Sequence, residues 1–259
     1  MERTPSIPGE SWQDQRLPSQ LLKLGEDELS RRTRAILEEF PGYKELIMMY
    51  TCAIKEVQTK FEVLSLEFNT RYDRNPITAI QTRLKSTASI AEKMLRKDLY
   101  FSLENVENNI CDIAGVRVIC SYVDDIYRLA EAFTQQDDVT LLERKDYIAA
   151  PKPNGYRSLH LIVGVPVFFY NQRKVMKVEV QIRTIAMDFW ASLEHELKYK
   201  QEVSSQLGIV EELKQCADTI ARTDETMLAL RKKLDALQVE KSDSRVLVDK
   251  LLRLTDRLG

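Results

Sequence analysis

Between Asp112 and Arg183 the apolar residues stop recurring at steps of three and four and begin to alternate, and that switch sets the fold class. In Met176 to Arg183 the alternation is complete. Met176, Val178, Val180 and Ile182 fall on one side, and Lys177, Glu179, Gln181 and Arg183 on the other, the pattern of a half-buried strand. Ile113 to Ser121, Val139 to Arg144, Leu159 to Val167 and Val175 to Arg183 read as strands, Ile126 to Phe133 as a short helix, and Asn154-Gly155 as a tight turn. Helical spacing surrounds this block. Ile47, Tyr50, Ile54, Val57, Phe61, Leu64 and Phe68 form one stripe on a long helix that Asn75-Pro76 ends, and Leu21 to Phe40, closed by Pro41-Gly42, reads as a helix before it. Helix resumes at Thr184. Ile209, Leu213, Cys216, Ile220, Thr223, Met227, Leu230, Leu234 and Leu237 make a coiled-coil-like seam, which can pack against the first long helix or against another subunit. The expected architecture is α+β, a mixed and mostly antiparallel sheet flanked by N- and C-terminal helices. The expected organisation is a disordered stretch over 1–20, helices over 21–74, the sheet domain over 75–200 and C-terminal, assembling helices over 201–259.

Several classes of function are excluded. Against 40 acidic residues stand 38 basic ones, so the whole molecule has no electrostatic case for nucleic acid and any basic site is local. No run of about 18 apolar residues exists, and Met1 to Gln20 lacks an apolar signal core, which predicts a cytoplasmic protein with no membrane contact. Cys52, Cys111, Cys120 and Cys216 are too widely spaced for a zinc ribbon, so Cys111 and Cys120 are expected in the core. The eight glycines are scattered, and neither a Walker loop nor a dinucleotide fingerprint occurs. The two histidines, His160 and His195, are too few for a multi-histidine metal centre.

Four segments carry the chemistry. Arg83 to Lys97 holds five basic side chains and one acidic. If Ser86 caps a helix there, Ser89, Lys93 and Arg96 share one side, a polyphosphate cradle built without glycine, or else a solvated basic face. In Asp112-Ile-Ala-Gly115-Val-Arg117 an arginine interrupts a buried strand, where it must find solvent, a carboxylate or a ligand. Lys145 to His160 places Lys152, Tyr156, Arg157 and His160 around the Asn154-Gly155 turn, offering cations and a stacking ring. On the fourth segment Glu179 can join Asp112 in holding a Mg²⁺, an ion that takes only one or two carboxylates and fills its other positions with water and phosphate oxygen.

Together, Arg83-x-Lys85-x3-Ser89-x3-Lys93, Asp112-Ile-Ala-Gly115-Val-Arg117, Asp146-Tyr147-Ile with Asn154-Gly155-Tyr156-Arg157-Ser158-Leu159-His160, and Glu179-Val-Gln181-Ile-Arg183-Thr184 resemble the synthetase domain of the RelA/SpoT family. The resemblance spans roughly residues 75 to 200. Pro151 to His160 and Met187 to His195 look most like the small alarmone synthetases, and more like their RelP branch than their RelQ branch. Such enzymes have a nucleotidyltransferase-like sheet and transfer the β,γ-pyrophosphate of ATP to the 3′-hydroxyl of GTP or GDP, giving AMP and pppGpp or ppGpp. The resemblance implies that Arg83 and Arg117 sandwich adenine, and that Lys85, Ser89, Lys93 and Arg96 hold the ATP phosphates. It implies that Asp112 binds Mg²⁺, and that Glu179 orients or deprotonates the 3′-hydroxyl and shares the metal. Tyr156 then stacks on guanine, with Lys152, His160 and Gln181 nearby. It further implies a homotetramer, a synthetase without hydrolase activity, and RNA at most as a regulator. The alternative is a catalytically silent nucleotide- or RNA-binding regulator on the same fold, which would have no need of the Asp112 and Glu179 pair.

Overall fold

The computed structural model describes residues 41–72, 74–100, 102–199 and 208–255. The readings for residues 1–20 and for a helix over 21–40 lie outside the described residues.

A long helix, α1 (Tyr43–Tyr72), buries Leu46, Tyr50, Ile54, Val57, Phe61, Leu64 and Phe68, the stripe that the three-four spacing predicts. It lies across the sheet and touches four of its five strands. Asn75 turns the chain out of α1, its side chain accepting from Ile77 N at 2.9 Å and donating to Ser65 Oγ at 2.7 Å. The strands are β1 (Ile77–Leu84), β2 (Ala114–Cys120), β3 (Thr140–Asp146), β4 (Leu159–Phe168) and β5 (Arg173–Thr184). They lie in the order β1-β2-β5-β4-β3. The β2–β5 pair is parallel and the other three are antiparallel, so the sheet is mixed and mostly antiparallel. Its core face is made by the alternating residues Val116, Val118 and Cys120 of β2 and Met176, Val178, Val180 and Ile182 of β5. Between β1 and β2 come α2 (Thr87–Arg96) and α3 (Leu103–Asn109), and after β2 comes α4 (Val123–Thr134), whose Phe133 stacks on Phe61 at 4.4 Å. Cys120 is buried, whereas Cys111 is only half-buried.

Strand β1 and helix α3 carry no clear periodic signal. Strand β1 is an edge strand with only Ile77 buried, so its two faces do not differ enough to alternate.

Two helices follow the sheet, α5 (Ile185–Tyr199) and α6 (Ile209–Thr255). Of the two partners open to the seam, the first long helix is not the one it packs along. Helix α6 packs on α4 and α5, not along α1. Its inward residues are Ala217, Ala221 and Asp224, flanked by half-buried Leu213, Ile220 and Leu228. The seam's Met227, Leu230, Leu234 and Leu237 are exposed instead. Two polar bolts hold α6 down. Thr184 Oγ1 donates to buried Asp224 at 2.6 Å, and Arg231 pairs with Asp124 at 2.5 Å and Asp125 at 3.7 Å. No helix among the described residues is long and apolar enough to cross a membrane.

Candidate active site

The polar faces of β1, β2 and β5 form the floor of a cavity of about 500 Å³, lined by Arg83, Lys85, Asp112, Arg117, Glu179 and Gln181 among others. Its position follows from alternation. The residues that place Val116, Val118, Val178 and Val180 in the core turn Arg117, Glu179 and Gln181 the other way, and register sets Glu179 beside Gly115 and Gln181 beside Arg117.

Ser86, two residues beyond the end of β1, caps α2, its Oγ accepting from Ser89 N at 3.2 Å. Burial of Ile90, Ala91 and Met94 then orients the helix so that Lys93 faces the cavity side. Lys93 Nζ reaches Asp112 Oδ2 at 2.9 Å, and Lys85 Nζ reaches the same oxygen at 3.2 Å. The second oxygen, Asp112 Oδ1, is buried and has no hydrogen-bond partner among the described residues. Burial would raise the Asp112 carboxyl, but the Lys93 and Lys85 ammoniums outweigh it and hold the group below the ordinary aspartate value. An ionised carboxylate with one free oxygen, flanked by two cations, is thereby fixed at the cavity wall. Ser89 and Arg96 lie on α2 without entering the cavity lining, and Arg96 is exposed.

Glu179 stands at the centre of the second half. Gln181 Nε2 donates to its Oε2 at 2.9 Å, and His160 Nδ1 lies 3.4 Å from its Oε1. Burial pushes this carboxyl up, while His160 and Gln181 pull it further down, leaving it below the ordinary glutamate value. Tyr156 Oη is 2.8 Å from His160 Nε2, and its ring meets those of Tyr147, His160 and Trp190 at centroid distances of 6.1, 5.7 and 6.5 Å. Lys152 Nζ sits 4.6 Å from the Tyr147 ring centroid and 5.0 Å from that of Tyr156. Burial raises the Tyr156 phenol above its ordinary value, with Arg183 partly opposing.

Ten of the twelve residues singled out in the sequence therefore fall into two adjoining groups, Ser89 and Arg96 standing outside them. Arg83 and Arg117 line the cavity with Asp112 and its partners Lys85 and Lys93, and beside them Glu179 gathers Gln181 and His160, with Tyr156 and Lys152 behind. Strand alternation places Arg183 correctly on the polar face but gives it to solvent, whereas it is 2% exposed, covered by Tyr156 and by Asp188 of α5. Arg117 also finds a carboxylate, pairing with Asp188 at 3.2 Å. Tyr147, Asp188 and Trp190 join the site without having been predicted. A signal existed in the segments that contain them, Asp146-Tyr147-Ile for Tyr147 and Met187 to His195 for the other two, and Asp188 is also acidic in the first turn of a helix that directly follows the strand.

A cluster of cations facing an ionised aspartate, with a second ionised carboxylate beside an aromatic shelf, defines a site for positioning a polyphosphate against an acceptor hydroxyl. Residues 82–204 match the region found in RelA / SpoT proteins. The chain is 43% identical over 193 residues to the GTP pyrophosphokinase YwaC of Bacillus subtilis (strain 168), an alignment spanning 74% of this chain and 92% of that protein. It is 35% identical over 196 residues to YjbM of the same organism, spanning 76% and 92%. Among solved structures, the small alarmone synthetase 2 of B. subtilis superposes with a TM-score of 0.68 over 74% of this chain and 99% of that one. The B. subtilis small alarmone synthetase 1 bound to its product pppGpp gives 0.69 at 34% identity, over 75% and 98%. The chain belongs to the RelA/SpoT family, among its small alarmone synthetases.

Proposed function

We propose that the chain is a GTP/GDP pyrophosphokinase, a (p)ppGpp synthetase that transfers the β,γ-pyrophosphate of ATP to the 3′-hydroxyl of GTP or GDP and releases AMP. The observation that carries the reading is the pairing, across one cavity, of Asp112 held by Lys85 and Lys93 with Glu179 held by His160 and Gln181.

Arg83 and Arg117 take the adenine, and Lys85, Ser89, Lys93 and Arg96 the triphosphate. Tyr156 stacks on guanine, with Lys152, His160 and Gln181 around it. The donor set suits one Mg²⁺. The buried, unpaired Oδ1 of Asp112 is the kind of oxygen such an ion takes, with Glu179 as a second carboxylate and phosphate or water completing the shell. When bound, the ion would neutralise phosphate charge.

The chain's own residues do the rest by positioning. The acceptor oxygen attacks the β-phosphorus in line, and the bond from that phosphorus to the oxygen of the leaving AMP breaks. Glu179, ionised at neutral pH, accepts the hydroxyl proton. A carboxylate held below its ordinary pKa is a weak base toward an alcohol, so the proton moves late, after the new P–O bond has made the oxygen acidic. Orientation of the hydroxyl is therefore the larger contribution of Glu179.

The enzyme is further read as cytoplasmic, and as a homotetramer that covers the exposed Met227, Leu230, Leu234 and Leu237 stripe. RNA is at most a regulator. The test is incubation with Mg²⁺, GDP or GTP, and ATP labelled at the β-phosphate, beside Glu179→Gln. Labelled guanosine tetra- or pentaphosphate with equimolar AMP is expected from the wild type and none from the variant, which still binds an ATP analogue. ATP binding without transfer by the wild type would put the silent regulator in its place.

A further inference from the structure

The polar groups around Glu179 close into a ring whose other pole is Arg183. Arg183 Nη2 donates to Tyr156 Oη at 2.8 Å and to Gln181 Oε1 at 2.5 Å. Gln181 passes the contact on to Glu179 Oε2, and Tyr156 passes it through His160 to Glu179 Oε1. The donor inventory fixes the direction of both arms. A phenol oxygen that accepts from a guanidinium still has its own proton to give, and the neighbour placed to receive it is His160 Nε2. The neutral imidazole then carries its proton on Nδ1, toward the carboxylate. Both arms start on one cation and end on one anion, one arm for each carboxylate oxygen. Each oxygen keeps a second lone pair for the cavity.

We propose that Arg183 is a positioning residue of pyrophosphoryl transfer, the clasp from which the Tyr156–His160 arm and the Gln181 arm together hold Glu179 in its reactive orientation. The proposal rests on the reading of Glu179 as the carboxylate that meets the acceptor hydroxyl. Arg183 acts through other residues, and its ion-pair partner is Asp188, at 3.4 Å. Asp188 Oδ1 is also the oxygen that receives Arg117, so the clasp is anchored to the ATP end of the cavity as well. Arg183 lies 5.4 Å from the Tyr156 ring centroid, so it fixes the guanine shelf and Glu179 as one unit. A lysine cannot replace it, because one compact ammonium does not reproduce a planar fork serving three acceptors on three sides.

The test is steady-state transfer of labelled pyrophosphate from ATP to GDP by the full chain, Arg183→Lys, Tyr156→Phe and the double variant, with a thermal melt of each. Tyr156→Phe keeps the stacking ring and removes the hydroxyl. In each single variant kcat is expected to fall about tenfold or more while the KM for ATP stays within about twofold. The double variant is expected to fall no further than Arg183→Lys, since both changes open one ring. Unchanged kcat in Arg183→Lys, multiplying losses in the double variant, or a loss confined to KM would each overturn the proposal. If Arg183→Lys does not fold, a wild-type kcat in Tyr156→Phe overturns it equally. A wild-type chain without transfer removes the functional reading and this proposal with it, whereas an active wild type with unaffected variants removes the proposal alone.

Discussion

Gly155→Ala tests whether the C-terminal helix is part of the acceptor site. Gly155 lies between Asn154 and Tyr156 with φ at +89°, and a Cβ placed on it would stand 2.5 Å from the Cβ of Ala217 on α6. That is about 1 Å inside ordinary contact, and the atom it meets belongs to a helix, not to the movable end of a long side chain. Neighbouring contacts leave the turn little room to retreat. Asn154 Nδ2 donates to Glu194 of α5 at 2.9 Å, and Arg157 pairs with Asp218 of α6 at 3.5 Å. Overpacking of this kind costs about 1–3 kcal/mol, and an L side chain at positive φ about 1–2 kcal/mol more. Reduced freedom of the unfolded chain returns roughly 0.4–1 kcal/mol, leaving a net loss of about 2–4 kcal/mol. For a chain of this size that is a fall in Tm of roughly 5–15 °C, together with a raised KM for GDP because Tyr156 is displaced. The decisive comparison repeats Gly155→Ala in an Ala217→Gly background. There the steric part vanishes, and the loss measured against Ala217→Gly alone should shrink to about 1 kcal/mol, the cost of φ less the same unfolded-chain return. An equal loss in both backgrounds would refute the contact between the turn and α6.

Two further outcomes are expected. Asp112 has a folded-state pKa below its unfolded value near 4, so its contribution to stability is fully present above that pH and is lost as pH falls through the folded value. Urea midpoints measured in EDTA from neutral pH downward should show this loss in the wild type, and Asp112→Asn should lack that share; identical acid limbs would mean that Lys85 and Lys93 do not hold the carboxylate. Leu234 is 61% exposed, so Leu234→Glu should change the stability of the isolated subunit by no more than about 0.5 kcal/mol while lowering the mass measured by light scattering. A wild type that scatters as a monomer at micromolar concentration would defeat assembly through this stripe.

What could be read from the sequence was what repeats with a period. Strand β5 alternates without a break, so both its core face and its polar face were legible, as was the stripe of α1. The capping of α2 by Ser86 was legible because a hydroxyl preceded an apolar face at helical spacing. The burial of Arg183 was not. Alternation gives a side chain its face, but what covers that face arrives through the tertiary fold, here Tyr156 from 27 residues upstream and Asp188 from the next helix. Strand β1 was missed because an edge strand with only Ile77 fully buried has no pattern to read.

Helix α6 was legible only in part, for a reason that bears on function. A heptad of leucines announces a contact face but not its partner, and the inner face of α6 is made of something else. Ala217 must be small because Gly155 is pressed against it, and Asp224 is polar because it receives the hydroxyl of Thr184, the residue that also accepts from Met187 N and so caps α5. Close approach to a turn and to a helix cap selects alanine and aspartate, not leucine. The large apolar residues were thereby left outside, at Met227, Leu230, Leu234 and Leu237. A helix in a finished monomer buries its leucines, and α6 leaves Leu230, Leu234 and Leu237 exposed. The same helix that closes through Ala217 on the turn carrying Tyr156 thus presents an apolar stripe on its outer side.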